Sequence, residues 1–184
     1  VWMKHRPVLG LNHRPSGLEK SWLAYKDVLV GAVPSLENGS KVLAISEEVL
    51  ALAHQATVEL EKKSGSNAGR LVNISGRQRM LSQRMAKYYQ AASWGIADSN
   101  GTANLAKARK DFSDALQELA GAPANTAQIN DGLGLVRQQW IFFESALNQK
   151  TGGDKRAQLA VATTSERILE EMEGVVGLYE KLPK

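Results

Sequence analysis

Asn73-Ile74-Ser75-Gly76-Arg77-Gln78-Arg79-Met80-Leu81-Ser82-Gln83-Arg84-Met85-Ala86-Lys87 is the most strongly patterned stretch of the chain. At about 100° per residue, a helix through residues 70–96 sorts its side chains into three stripes. Ile74, Gln78, Leu81, Met85, Tyr88, Ala92 and Ile96 share the stripe expected to pack into the helix's own bundle. Val72, Ser75, Arg79, Ser82, Ala86 and Ser93 form a second stripe, small except for Arg79, that invites close approach of another helix. Asn73, Arg77, Arg84 and Lys87 stack along a third.

The surrounding charge is segregated. Lys62, Lys63, Arg70, Arg77, Arg79, Arg84 and Lys87 occur between Lys62 and Ala97 with no acidic residue among them, although the chain's net charge is only +4. A cationic segment in a mildly acidic remainder points to an anion, or to an acidic surface on another helix, as its partner. If the partner is the same helix of a second subunit, a two-fold axis brings Arg79 to its own mate, and the two guanidinium groups repel unless an anion sits between them. A planar oxyanion fits that fork from both sides.

Outward from this stretch everything reads as helix. Hydrophobic residues are 43% of the 184 and charged residues 23%, ordinary for a globular domain, and strong helix formers dominate the periodic segments. A helix from Leu18 to about Val33 stops at Pro34. Val42, Ile45, Val49, Leu52, Ala56 and Leu60 mark the next, with Ser64-Gly65-Ser66-Asn67 either breaking it or carried through. The central helix runs from about Gly69 to Trp94, and another spans 102–120. Asn125 with Gln128 reads as a capping box opening a helix to Asn148, and the last carries Leu159, Ala162, Leu169, Met172, Val176 and Tyr179 on one face. The expected fold is all-α, an elongated bundle of five or six helices arranged as one or two related units.

An internal similarity bears on the number of units. Ser21-Trp22-Leu23 resembles Gln139-Trp140-Ile141, Ser46-Glu47-Glu48-Val49-Leu50 resembles Ser165-Glu166-Arg167-Ile168-Leu169, and Leu60-Glu61-Lys62 resembles Tyr179-Glu180-Lys181, at nearly constant offset. The expected division is therefore an irregular lead-in over 1–17, a partial first repeat over 18–65 and a complete helical unit over 66–184. Trp22 and Trp140 are expected as equivalent core aromatics, and His54 as a packed or surface histidine. The two His-Arg-Pro triplets, at His5 and His13, belong to the lead-in.

Residues 73–87 resemble the signature of the type IV pili methyl-accepting chemotaxis transducer N-terminal (PilJ-type) sensor domain. They are more distantly similar to the periplasmic box of bacterial nitrate/nitrite sensor kinases. Trp140 and the Ser165-Glu166 helix extend the first resemblance more loosely over 66–182. The resemblance implies a periplasmic or other extracytoplasmic helical bundle that dimerises. In some members nitrate is held between the two signature helices, with the arginine matching Arg79 as its ligand; Gly76, Ser82 and Arg84 match that box as well. Residues 1–65 depart from the family pattern, in which a membrane helix leads into the signature, and residues 88–184 do not read as a cytoplasmic signalling module.

The expected function is an extracytoplasmic sensor for chemotaxis, pilus-related or two-component signalling. It would bind a small inorganic anion, nitrate or nitrite, at a helix seam across a homodimer two-fold. Arg79 leads the site, with Ser75, Gly76, Ser82, Arg84 and Asn73 around it, and Arg77, Ala86 and Trp140 are structural or interface residues. Arg77 and Arg84 have Glu166, Glu170 or Glu173 of the last helix as candidate partners, and Lys87 is expected to be solvated. The alternative is a dimerisation or protein-interaction module with no small ligand. With no cysteine, glycine-rich phosphate loop or metal-spaced histidines, neither an enzyme, a metal site nor a cofactor is expected, and the interleaved core stripe argues against nucleic acid. No apolar run reaches the ~18 residues of a membrane span. The start at Val1 points to a mature or excised segment, any anchor lying outside it.

Overall fold

The computed structural model describes residues 16–96, 98–149 and 154–183; both His-Arg-Pro triplets lie outside the described residues. Six helices follow one another: α1 (Gly17–Gly31), α2 (Leu36–Ser64), α3 (Asn67–Ser93), α4 (Gly101–Ala120), α5 (Ala127–Leu147) and α6 (Lys155–Tyr179), with no strand among the described residues. The signature lies in α3, which at 27 residues is about 40 Å long.

Local chemistry sets the boundaries. Ser35 Oγ accepts from Asn38 N at 3.1 Å, Ser66 Oγ from Gly69 N at 3.0 Å, and Asp154 Oδ1 from Arg156 N at 2.8 Å. Each satisfies a backbone donor that the first helical turn leaves free. Ser64-Gly65-Ser66 does break the long helix: Gly65 has φ of 59°, a left-handed conformation that glycine adopts without the Cβ penalty, and its N–H donates to Glu61 O at 3.1 Å. α5 begins one residue later than the expected capping box. Thr126 is its N-cap, and Asn125 instead donates to Leu119 O at 2.8 Å and accepts from the Tyr179 hydroxyl at 2.7 Å, tying the α4–α5 turn to the end of α6.

α3, α4, α5 and α6 close into a four-helix ring, with α3 against α4 and α6, and α5 against α6 and, more lightly, α4. Leu81, Met85, Tyr89, Phe112, Phe143, Ile168, Met172 and Tyr179 fill the space between them. The face expected for α6 holds only in its second half. Leu159 and Ala162 face outward while Val161, Ser165 and Ile168 are buried. Thirteen residues at 100° each place Leu159 roughly 140° from Met172, off the inner face.

α1 and α2 form a hairpin laid on α3 through α2. Gly39 permits the approach near the start of α2, where a Cβ would lie 2.6 Å from Ile96 Cδ1. The two tryptophans aligned by the internal similarity lie in unlike surroundings. Trp140 is 7% exposed and stacks on Phe112 at 4.4 Å, whereas Trp22 is 46% exposed. Among the described residues α1 meets α2 but has no counterpart of α4 to cover it, so the expected equivalence of Trp22 and Trp140 does not hold. Ser46 and Ser165 remain alike: both are buried, both donate to the carbonyl three residues back, and both meet α3.

Candidate functional site

The polar side chains of α3 are distributed to three neighbouring helices. Toward α4, Arg70 pairs with Glu118, Arg77 Nη2 with Asp111 Oδ2 at 3.1 Å, and the buried Gln78 amide donates to Phe112 O at 2.8 Å. Toward α6, Arg79 pairs with Glu173, Gln83 donates to Ser165 O at 3.2 Å and Gln90 to Gln158 O at 2.8 Å. Toward α2, Asn73 donates to Glu61, and Glu47 accepts from Arg84 Nη2 at 2.6 Å and Lys87 Nζ at 2.7 Å. The acidic helix surfaces that the cationic segment called for are thus supplied by the same chain. Arg77 and Arg84 do not reach the last helix; Arg79 does, because its stripe is the one that α6 covers.

That covering corrects the expected seam. Ser75 and Ser82 are fully buried and Ala86 is 8% exposed within the single chain. The Ser75 hydroxyl donates to Leu71 O at 2.7 Å, and that of Ser82 to Arg79 O at 2.9 Å. Small residues admit a close helix, as their size requires, but the helix is α6 and not a two-fold mate. Neither serine is free to line an anion site between subunits, and the guanidinium of Arg84 is engaged by Glu47. Lys87 is likewise bonded to Ser46 Oγ and Glu47, not solvated. Burial pushes its ammonium pKa down, against the opposing pull of Glu47. Burial pushes the Glu47 carboxyl up, but the hydrogen bonds from Arg84 and Lys87 outweigh it and hold the pKa below the usual 4.5. Tyr88, under both cations at 5.6 and 5.3 Å, is pushed up to about 12, first by burial and then by the Glu47 charge.

The other signature positions do converge. Asn73, Gly76, Arg77 and Arg79 line a cleft of about 430 Å³ between α2 and α3, which Val176 and Glu180 of α6 close on one side. The pairs Glu61–Asn73, Glu47–Arg84 and Ser46–Lys87 define an antiparallel register that brings Thr57 level with Gly76 and His54 level with Arg79. Both α2 residues line the cleft. The Arg79 guanidinium lies along the helix over Gly76, its Nη2 3.7 Å from where a glycine Cβ would stand. Its side chain keeps 29% of its surface exposed, and its partner Glu173 is 66% exposed on the outer side. Nε of Arg77 is buried with no partner. His54, Thr57 and Glu173 were not singled out as part of a site, because only the α2–α3 and α3–α6 registers bring them to Arg79.

The fold is thus a helical bundle whose central helix carries an arginine-rich signature, with Arg77 and Arg79 on an accessible cleft. Residues 62–141, from the last turn of α2 into α5, match the family model described as type IV pili methyl-accepting chemotaxis transducer N-term (PilJ). The match includes the whole of residues 73–87 and Trp140, while the Ser165-Glu166 helix lies beyond it. No curated protein and no solved structure matches the chain. No helix among the described residues is long and apolar enough to cross a membrane, and no group of three His, Asp or Glu side chains among them is placed to hold a metal.

Proposed function

We propose that this chain is the extracytoplasmic ligand-sensing part of a chemotaxis-transducer-type signalling protein, and that it works as a binding module, not as an enzyme. Residues 66–184 are its sensor unit. Residues 18–65, expected as a partial first repeat, act as a hairpin that completes the binding cleft. The ligand carries a planar oxyanion group, nitrate or nitrite being the simplest, held by Arg79 from the cleft side with Asn73 beside it. The observation that carries this reading is that Asn73, Gly76, Arg77 and Arg79, four of the signature positions, line one accessible cleft. Arg79 is also one of the residues that tie α3 to α6, beside Gln83 and Gln90, so an anion that draws its guanidinium away from Glu173 alters one of the contacts that hold those two helices. Calorimetric titration of the wild type and of Arg79→Ala with nitrate, nitrite, sulfate and chloride tests it. The wild type should bind a planar anion and Arg79→Ala should not, with unchanged helical circular dichroism; equal binding by the two proteins rejects the site.

A second reading, a helix–helix interaction module, is favoured by the exposed apolar residues Leu135, Ile141 and Phe142 on α5 and Trp22, Leu29 and Val30 on α1. A homodimer, with the Ser75–Ser82–Ala86 seam already filled by α6, would use these faces. Sedimentation of Phe142→Glu beside the wild type distinguishes the readings: loss of a dimer with anion binding intact assigns the two functions to separate surfaces.

A further inference from the structure

We infer that the cleft between α2 and α3 takes an organic anion, a carboxylate with a compact apolar body, in preference to a bare inorganic oxyanion. This rests on the proposed anion site at Arg79 and names the class of its ligand. The first argument is size. A cleft of about 430 Å³ falls within the range of small-molecule sites, whereas a four-atom ion on Arg79 leaves most of it to water. The second is the wall. Around the polar groups of the cleft, Asn73, Thr57, His54 and Arg79 among them, the lining includes Leu50, Leu60, Val72, Met80 and Val176. An inorganic ion covers none of that apolar surface, and a ligand that does gains from its removal from water. The third is charge. The Glu173 carboxylate already occupies the Arg79 fork on the exposed side, so the group that competes with it best is another carboxylate of the same planar geometry. Glu61 and Glu180 at the rim disfavour a second negative charge, which makes the ligand a monoanion.

The experiment is a calorimetric series on the full chain with nitrate, acetate, isovalerate and benzoate at constant ionic strength. Each buried methylene strengthens binding roughly fourfold. Isovalerate and benzoate should therefore bind at least about tenfold more tightly than acetate. Leu60→Gln, on an exposed position of α2 where the fold is not at risk, should shrink the ratio of benzoate to acetate affinity. Met80→Gln should shrink it further from the α3 wall. Arg79→Ala should lose all the carboxylates. Nitrate binding with acetate, isovalerate and benzoate all equal or absent overturns the inference and leaves the anion reading standing. A wild type that binds none of the four rejects the anion reading and this inference together. Benzoate binding that survives in Arg79→Ala overturns the inference by separating the apolar cleft from the arginine.

Discussion

Arg84 of α3 grips the carboxylate of Glu47 on α2 with two guanidinium nitrogens, Nε at 3.3 Å and Nη2 at 2.6 Å. Lys87, one turn further, closes on the same carboxylate. This clamp and the Glu61–Asn73 bond tie α2 to α3 at two places, with most of the cleft between them. The cleft therefore exists only while α2 is docked, and the clamp sets how firmly it is docked.

Glu47→Gln should loosen that docking by about 1–3 kcal/mol, the usual effect of removing a charged partner from a partly buried hydrogen-bonded group. The pH dependence follows from the lowered carboxyl pKa. The unfolded carboxyl takes up its proton near 4.5 and the folded one only lower, so the clamp's contribution is complete above 4.5 and is lost as the pH falls through the folded value. The protection of the α2 amides, measured against their intrinsic exchange rates at each pH, should fall in acid in the wild type. In Glu47→Gln that protection should already be low at neutral pH, with no further acid step of this origin. Unchanged α2 protection in the variant rejects the clamp.

Gln78 is fully buried, and its amide nitrogen donates to Phe112 O, a carbonyl of α4, while its Oε1 has no partner. One half of the amide is satisfied and the other carries a desolvation cost. Gln78→Met keeps the volume and removes both the bond and the orphaned oxygen, so its stability should stay within about 1 kcal/mol of wild type. Gln78→Ala also opens a cavity and should cost about 2–4 kcal/mol. Urea denaturation of the pair separates packing from hydrogen bonding at a signature position.

Two glycines of α5 should respond to alanine with opposite sign. A Cβ on Gly134 meets nothing within 4 Å, and Gly134→Ala should stabilise by about 0.5–1 kcal/mol through helix propensity. A Cβ on Gly132 would lie 2.9 Å from Val175 Cγ2 of α6, a stiff branched side chain in the core. Overpacking of about 1–3 kcal/mol should outweigh the propensity gain there. Thermal melts of the two variants should move in opposite directions.

The all-helical fold and the place of the signature helix were legible because the periodicity of residues 70–96 depends only on the chain itself. The chemistry of the charges was half legible. The absence of acidic residues between Lys62 and Ala97 points to an anion or to an acidic helix surface, and the chain supplies the second; which carboxylate meets which arginine depends on how α2, α4 and α6 sit around α3. Arg79 and Glu173 lie 94 positions apart, and no local pattern pairs them. The small stripe of Ser75, Ser82 and Ala86 was read correctly as a place of close approach and assigned to the wrong helix, because stripe composition specifies how near a neighbour comes and not whose chain it belongs to. Trp22 differs for the complementary reason: its own segment resembles that of Trp140, but burial requires covering helices, and among the described residues α1 packs on α2 without a counterpart of α4.

The Arg79–Glu173 pair makes the sharpest functional prediction. Under the proposed anion site, the Glu173 carboxylate and the ligand compete for one guanidinium, so the measured affinity includes the free energy of releasing Glu173. Glu173→Gln removes the competing charge from an exposed position without disturbing the α6 core, of which Met172 and Val176 remain in place. Ligand affinity should rise roughly two- to fivefold, the factor that corresponds to a partly exposed ion pair of up to about 1 kcal/mol. The gain should shrink as salt is added, since screening weakens the pair in the wild type but has nothing to weaken in the variant. In the double variant Arg79→Ala/Glu173→Gln the gain should vanish altogether, because the competition needs both partners. Calorimetry with benzoate on wild type and Glu173→Gln across a salt series measures the competition, and neither protein carrying Arg79→Ala should show binding. If Glu173→Gln binds no more tightly than wild type at low salt, the anion does not draw on the guanidinium that joins α3 to α6, and the proposed link between ligand and helix position is lost.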